Sequence, residues 1–373
     1  MPDKKLNFRN FADMHYEKFK KLLLQWHQNE NKRQMPWKGE KDPYKVWLSE
    51  VILQQTRVEQ GWVYYERFIK KYPGIQQLAE ARDEDVFKLW EGLGYYTRCK
   101  NLLHTARFIV NEYNGKFPDS YEKIASFKGI GPYTAAAIAS FCFDLPYAVV
   151  DGNVFRILSR VFGIATPIDS AEGRKIFVEL ATKVLDKKNS ALFNQAIMDF
   201  GATVCKPVMP VCSTCSLNLI CVAFKNAKVN ALPVKEKVLK KKLRWFSYFV
   251  MEAKNKIFVR KRTGKDIWQN LFEFYLAETD DNPVWSNESA ADFLKNQFNI
   301  QQFAIEEIRP AIPQHLTHQH IKGYFIRVQL TDIPRILCSE KNQWIEPQSM
   351  KRFAFPGFIN QYIQNKKMQM ILF

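Results

Sequence analysis

Four of the seven cysteines, Cys205, Cys212, Cys215 and Cys221, crowd into one short segment, whereas Cys99, Cys142 and Cys338 are scattered. The spacing Cys-x6-Cys-x2-Cys-x5-Cys offers four thiolates from a single loop, enough to hold a metal centre locally. Disulfides are disfavoured because nothing marks the chain as secreted. A tetrathiolate zinc usually comes as two Cys-x2-Cys pairs, so one pair flanked by longer gaps favours a [4Fe-4S] cluster over zinc.

At 373 residues the chain exceeds one average core, and two domains are expected. Lys plus Arg number 55 against 38 Asp plus Glu, a net charge of +17. That suits a polyanion such as nucleic acid, although a merely basic soluble protein has the same composition. The N-terminal MPDKKLNFRNFADMHYEKF lacks the apolar core of a signal peptide, and no apolar run reaches membrane-spanning length. A cytoplasmic chain with reduced thiols and no membrane partner is expected.

From Asn10 to Phe224 the pattern is helical. Trp47, Val51, Val58, Trp62, Tyr65 and Phe68 or Ile69 recur at helical spacings and read as one apolar face from Val46 to Ile69. Ala171 to Leu185 and Ala191 to Val204 repeat the pattern, and all these faces read as core. Lys225 to Arg244 is strongly basic and reads as a linker, either a solvated tether or a strip along phosphates. Beyond it, WFSYFVME, KIFVRKR, LFEFYLAE and GYFIRVQL are short aromatic and β-branched runs, with a helix at Ala290 to Phe298. The expected organisation is a mostly α domain over 1–224 with its cysteine loop at 205–221, a basic linker at 225–244, and an α+β domain over 245–373.

Phe127-Lys128-Gly129-Ile130-Gly131-Pro132-Tyr133-Thr134 joins helical stretches at Tyr121 to Ser126 and Pro132 to Phe141 through a glycine turn. Gly129 and Gly131 allow backbone angles and close approaches that a side chain would block. Pro132 suits a first helical position, whose free amides can hold a DNA phosphate. Val150-Asp151-Gly152-Asn153-Val154 follows. With the cysteine loop, these residues resemble the helix-hairpin-helix DNA glycosylases that carry an iron-sulfur cluster. Trp47-Leu48-Ser49-Glu50-Val51-Ile52-Leu53-Gln54-Gln55-Thr56, Gly92-Leu93-Gly94-Tyr95-Tyr96 and Phe193-Asn194-Gln195 narrow the resemblance to adenine DNA glycosylases of the MutY type, densely through residue 224 and loosely after it. The resemblance implies a monomeric, nucleoid-associated enzyme of base excision repair that removes adenine mispaired with 8-oxoguanine (or guanine) in double-stranded DNA. Lyase members of the superfamily place a lysine where this chain has Tyr133, which cannot form a Schiff base. A monofunctional hydrolase of the N-glycosidic bond is therefore expected.

Glu50 interrupts the apolar run VWLSEVIL, where a carboxyl has a raised pKa and keeps its proton, as a general acid requires. By family analogy it protonates adenine at N7 and loosens the glycosidic bond. Asp151 is the carboxylate that stabilises or attacks the positive sugar, at about 5 Å from Glu50 for a retaining route or roughly 6.5 to 9.5 Å for direct water attack. Tyr133 orients both groups. The bland readings are a surface glutamate for Glu50 and a helix cap for Asp151. The resemblance further implies an adenine pocket of Arg33, Trp37, Leu53, Gln195 and Asn153. It puts Gln55, Leu93 and Tyr95 beside the orphaned base, and Lys128, Gly129 and Gly131 on the DNA backbone. Tyr95 and Tyr96 read equally as core aromatics, and Trp37, after Pro36, as loop packing.

The C-terminal part resembles the Nudix-like domain with which the family reads the oxidised guanine. LFEFY at Leu271 to Tyr275 is similar to its strand motif, but no Arg-Glu-x-x-Glu-Glu box follows, so pyrophosphate hydrolysis is not expected. The family's Phe-Ser-His loop has its counterpart in Leu316-Thr317-His318, where the Thr317 hydroxyl can accept a hydrogen bond from N7 of the oxidised base. His315, His318 and His320 lack a nearby carboxylate or cysteine and read as loop or strand residues before they read as a metal site. The chain ends Gln369-Met370-Ile371-Leu372-Phe373, similar to peptides that dock bacterial sliding clamps; packing back on the domain is the alternative. A thymine or uracil mismatch glycosylase of the same fold and a non-catalytic iron-sulfur DNA-binding regulator are the rival functions.

Overall fold

The computed structural model describes residues 4–236, 241–338 and 342–364, with backbone alone for 4–13. The clamp-like ending, Gln369 to Phe373, lies outside the described residues. Two compact units form, Met1–Glu80 with Asn101–Lys237 and Ala81–Lys100 with Val238–Phe373. Ala81–Lys100, which includes α-helix at Asp83–Trp90, groups with the C-terminal residues.

In chain order the helices are α1 (Lys4–Asn29), α2 (Pro43–Leu53), α3 (Val58–Lys71), α4 (Ile75–Glu80), α5 (Asp83–Trp90), α6 (Thr97–Tyr113) and α7 (Tyr121–Ala125). There follow α8 (Pro132–Phe143), α9 (Gly152–Phe162), α10 (Ala171–Val184), α11 (Ser190–Thr203) and α12 (Val222–Lys225). Side-chain caps decide several starts: Asp42 accepts from Tyr44 N ahead of α2, Ser120 from Lys123 N ahead of α7, and Ser170 from Gly173 N ahead of α10. Val154, Ile157, Leu158 and Val161 recur on one side of α9. They share a core with Phe19 and Leu23 of α1, Phe177 of α10, and Phe193 and Phe200 of α11. Burying each such side chain stabilises the unit by roughly 1.5–3 kcal/mol.

Two expectations are corrected. The face from Val46 to Ile69 is two helices: α2 stops at Leu53, Gln55 turns to φ +58°, and α3 restarts at Val58. No glycine or proline marks that break, so periodicity ran through it. The linker at 225–244 is largely not a free tether either. Leu232 is buried, its carbonyl accepts from Arg160 Nε at 3.1 Å, and Glu236 N donates to Asp169 Oδ1 at 3.0 Å. The first C-terminal strand already starts at Lys242.

The C-terminal residues form β1 (Lys242–Ala253), β2 (Lys256–Lys261), β3 (Phe272–Glu273), β4 (Tyr275–Thr279), α13 (Asn287–Phe298), β5 (Phe303–Pro310), β6 (Gln314–His315), β7 (Gln319–Leu330), β8 (Asn342–Ile345) and α14 (Gly357–Ile363). The sheet runs β3-β2-β1-β7-β5, with β4 paired to β1, β6 to β7 and β8 to β2. β1 and β7 run parallel from Lys242 beside Gln319 to Glu252 beside Gln329. A run of buried residues through the middle of β1 marks it as the covered centre of the sheet. Leu294 and Phe298 of α13 pack in one core with Phe249, Phe258, Ile326 and Val328. A Ser286–Ser289 capping box starts that helix.

Candidate active site

A cavity of about 860 Å³ opens in the first unit, within the roughly 300 to 1,000 Å³ of small-molecule sites. Glu50 of α2, Tyr133 of α8 and Asp151 at the head of α9 all line it. Glu50 is buried, which removes its surface reading. Burial pushes its carboxyl up to about 7; the Tyr133 hydroxyl, hydrogen-bonded to it, works against the rise and the Asp151 charge adds to it. Burial, with Glu50 and Asp151 nearby, raises Tyr133 well above the usual phenol range. The same hydroxyl stands 3.4 Å from the Met198 sulfur.

Asp151 is both a helix cap and a cavity residue. Its Oδ1 accepts from Asn153 N at 2.9 Å and Val154 N at 2.8 Å, and its Oδ2 from Asn153 Nδ2 at 2.8 Å. Burial raises its pKa, while these donors and the Arg156 guanidinium favour the charged form. The segment ahead of it is pinned by Asn194, whose Oδ1 accepts from Val149 N at 3.2 Å and whose Nδ2 donates to Tyr147 O at 2.8 Å.

Arg33, Trp37, Leu53, Gln195 and Asn153 also line the cavity. Trp37 does pack its loop, edge-on to Tyr65 with centroids 5.2 Å apart, and still lines the wall. The Arg33 guanidinium, at the cavity wall, is held by Asp199. Gln55 lines the same space, exposed.

Lys128, Gly129 and Gly131 of the hairpin lie outside the cavity lining, unlike Tyr133. Gly129 takes φ +82°, and a Cβ there would meet Asn101 Cβ at 2.6 Å, so glycine is required. Thr105 Oγ1 donates to Lys128 O at 2.7 Å, and Gly131 caps α8 ahead of Pro132. In the second unit, Tyr95 is exposed at φ +48° whereas Leu93 and Tyr96 are buried, so the core reading fails for Tyr95 and holds for Tyr96. Leu93 is buried, and Arg98 Nη2 donates to the Leu93 and Gly94 carbonyls at 3.4 and 3.3 Å. The Tyr95 and Thr317 hydroxyls are hydrogen-bonded. Leu316, Thr317 and His318 join β6 to β7, tied by Leu316 N to Gln319 O and by Lys242 N to His318 O. His315 and His320 stack at 3.9 Å across that pair.

Cys205, Cys212, Cys215 and Cys221 line one small apolar cavity. Burial pushes the Cys215 thiol up to about 12, and the other three thiols add to the rise. No three His, Cys, Asp or Glu side chains among the described residues form a single-ion site; the thiols are set around a space. Arg160 Nη1 donates to Cys205 Sγ and Leu217 N to Cys215 Sγ, both at 3.4 Å, N–H contacts of the kind that support ligating sulfurs.

Arg156, Met198 and Asp199 were missed in the sequence, and Asn194, read only as part of Phe193-Asn194-Gln195, was given no role. Arg156 joins the two regions: Nε donates to Cys205 O at 2.7 Å, and Nη2 to Asn153 Oδ1 at 2.7 Å and Gly201 O at 2.8 Å. A Cβ on Gly201 would meet Asn153 Cβ at 2.5 Å, so glycine lets α11 press on the head of α9. The missed signal for Asp199 was the one that exposed Glu50, a carboxylate inside an apolar run, AIMDFGA.

Residues 48–183 match the HhH-GPD superfamily of base excision DNA repair proteins, and residues 247–365 match the NUDIX domain. The chain is 35% identical over 288 residues to an adenine DNA glycosylase of Buchnera aphidicola subsp. Schizaphis graminum (strain Sg), covering 76% of this chain and 82% of that one. It is 41% identical over 239 residues to an adenine DNA glycosylase of Mus musculus, covering 61% and 46%. Among solved structures, a thermostable thymine-DNA glycosylase is similar at 26% identity and TM-score 0.54, over 58% of this chain and 99% of that chain. A non-covalent endonuclease III–DNA complex, 18% identical at TM-score 0.50 over 58% and 97%, is similar in fold. Among the described residues, no helix is long and apolar enough to cross a membrane.

Proposed function

We propose, for a chain that belongs to the adenine DNA glycosylase family, that the cavity walled by α2, α8, α9 and α11 is where adenine is cut from its sugar. The chain is a base excision repair glycosylase acting on adenine, and DNA is its partner. The observation that carries the site is Glu50, a buried carboxyl near 7 beside the Tyr133 hydroxyl.

Glu50, protonated near neutral pH, gives its proton to adenine N7, and the base leaves uncharged. Asp151, whose Oδ1 accepts from the Asn153 and Val154 amides, faces the positive charge that grows on the sugar. Tyr133 orients the Glu50 carboxyl and offers no amine, so the reaction stops at hydrolysis. Gln195, Arg33, Trp37, Leu53 and Asn153 wall the base, Gln55 supports the vacated stack, and Tyr95 contacts DNA. Thr317, between Leu316 and His318, reads 8-oxoguanine opposite the adenine. Lys128, Gly129 and Gly131 hold the backbone. Cys205, Cys212, Cys215 and Cys221 would hold one [4Fe-4S] cluster, which when bound supplies a fourfold covalent anchor for the 205–221 loop. Clamp docking by Gln369 to Phe373 rests on the sequence alone.

Single-turnover reactions on duplexes with adenine opposite 8-oxoguanine or guanine, with and without alkali, test the reading. Strand scission only after alkali, faster opposite 8-oxoguanine, is expected. Scission without alkali would mean a lyase, and no excision under either condition would overturn the reading.

A further inference from the structure

The Asp199 carboxylate has a side-chain exposure of 0%, a position in which a charge is costly unless paired. The side-chain partners it has come from one loop. Arg33 Nη1 donates to Oδ1 at 2.8 Å, while Asn31 Nδ2 at 2.8 Å and Lys38 Nζ at 3.2 Å donate to Oδ2. The donors are tied to one another as well: Lys38 Nζ also donates to Arg33 O at 3.0 Å, and Arg33 N to Asn31 Oδ1 at 3.1 Å. Residues 31–42 form no helix or strand, so no ladder of backbone bonds holds this segment in place.

The loop brings Arg33, Met35 and Trp37 to the cavity, and α11 brings Gln195 and Met198. Asp199 lies one residue past Met198 and one helical turn past Gln195. We infer that Asp199 is a positioning residue that clamps the loop onto α11 and so sets the width and the polar lining of the base-binding cavity. It touches no reacting atom. Without its charge, Arg33 and Lys38 become two partly buried like charges with no ion-pair partner among the described residues, and the loop that carries them loses its anchor. This rests on the reading of the cavity as the adenine site and adds to it the residue that governs which base fits.

Asp199→Asn keeps the side chain's size and removes its charge. The test measures single-turnover excision of adenine and of N6-methyladenine from otherwise identical duplexes, with circular dichroism to show that the variant is folded. The expected result is slower adenine excision together with a preference for adenine over N6-methyladenine lowered roughly tenfold, the discrimination a small group in a close-fitting site can supply. A folded variant with an unchanged preference would overturn the inference, because a purely structural role would slow both bases alike. If Asp199→Asn does not fold, Lys38→Met serves: it leaves Asp199 paired with Arg33 and Asn31, a smaller fall in preference is expected, and no fall overturns the inference. The site reading is checked apart. Adenine excision by Glu50→Gln would sink that reading, whereas an inactive Glu50→Gln with an unaltered preference in Asp199→Asn would sink the clamp alone.

Discussion

Glu50→Gln removes one ionisable proton from the cavity while keeping the side chain's shape. Burial moves the Glu50 carboxyl from the usual 4.5 to about 7. At 1.36 kcal/mol per unit, that shift is worth about 3 kcal/mol. Because the folded value lies above the unfolded one, the contribution of Glu50 to stability is whole below about pH 4.5 and is lost as pH rises through about 7. Above that window the wild-type enzyme carries an ionised, buried carboxylate, and the glutamine variant does not. Urea unfolding at about pH 4.5 and about pH 8.5 should therefore show the variant gaining on wild type by up to about 3 kcal/mol between the two. Wild-type excision should fall about tenfold per pH unit above 7, and the variant should bind mismatched duplex yet excise nothing. A stability difference that does not change with pH would refute the assigned burial of the charge. Retained excision would remove Glu50 from the role of acid.

Asp151→Asn keeps a good helix cap, so thermal unfolding should change by less than about 1 kcal/mol while single-turnover excision falls roughly 100- to 1,000-fold. Gly129→Ala puts a Cβ at φ +82° against Asn101; a destabilisation of about 1–3 kcal/mol and weaker duplex binding are expected by calorimetry and gel shift. Arg156→Met leaves Cys205 O, Gly201 O and Asn153 Oδ1 without their donor. At roughly 1–3 kcal/mol for an unsatisfied buried group, the variant should unfold earlier and excise more slowly than its folded fraction predicts. Thr317→Ala should lower the preference for 8-oxoguanine over guanine about tenfold, read as a ratio of excision rates.

The readable parts of the chain were those where local chemistry dictates local structure. Asp151 ahead of Gly152-Asn153 had to cap α9, the Gly129–Pro132 turn had to separate two helices, and the four cysteines had to share a loop. Glu50 was legible for the same reason, because a lone carboxylate within VWLSEVIL has few cheap solutions. The break at Gln54–Arg57 was not, since the apolar spacing continues across it and no residue there forbids helix. The linker reading missed that Leu232 is buried and that two residues beyond it bond to Ile168 and Asp169, partners more than sixty positions away in sequence.

By itself the sequence determined the two architectures, the cap and hairpin, the cysteine loop and the carboxylates that chemistry singles out, since each follows from side-chain type and short-range spacing. Only the tertiary structure decided what those groups feel. Glu50 reaches about 7 because the fold buries it and α9 brings the Asp151 charge near, against the hydrogen bond that Tyr133 of α8 offers. Asp199 meets Arg33 from 166 positions away, and Arg156 reaches Cys205 across 49. Burial and such distant partners set the charge state and placement of a buried group, and neither is encoded in its near neighbours along the chain.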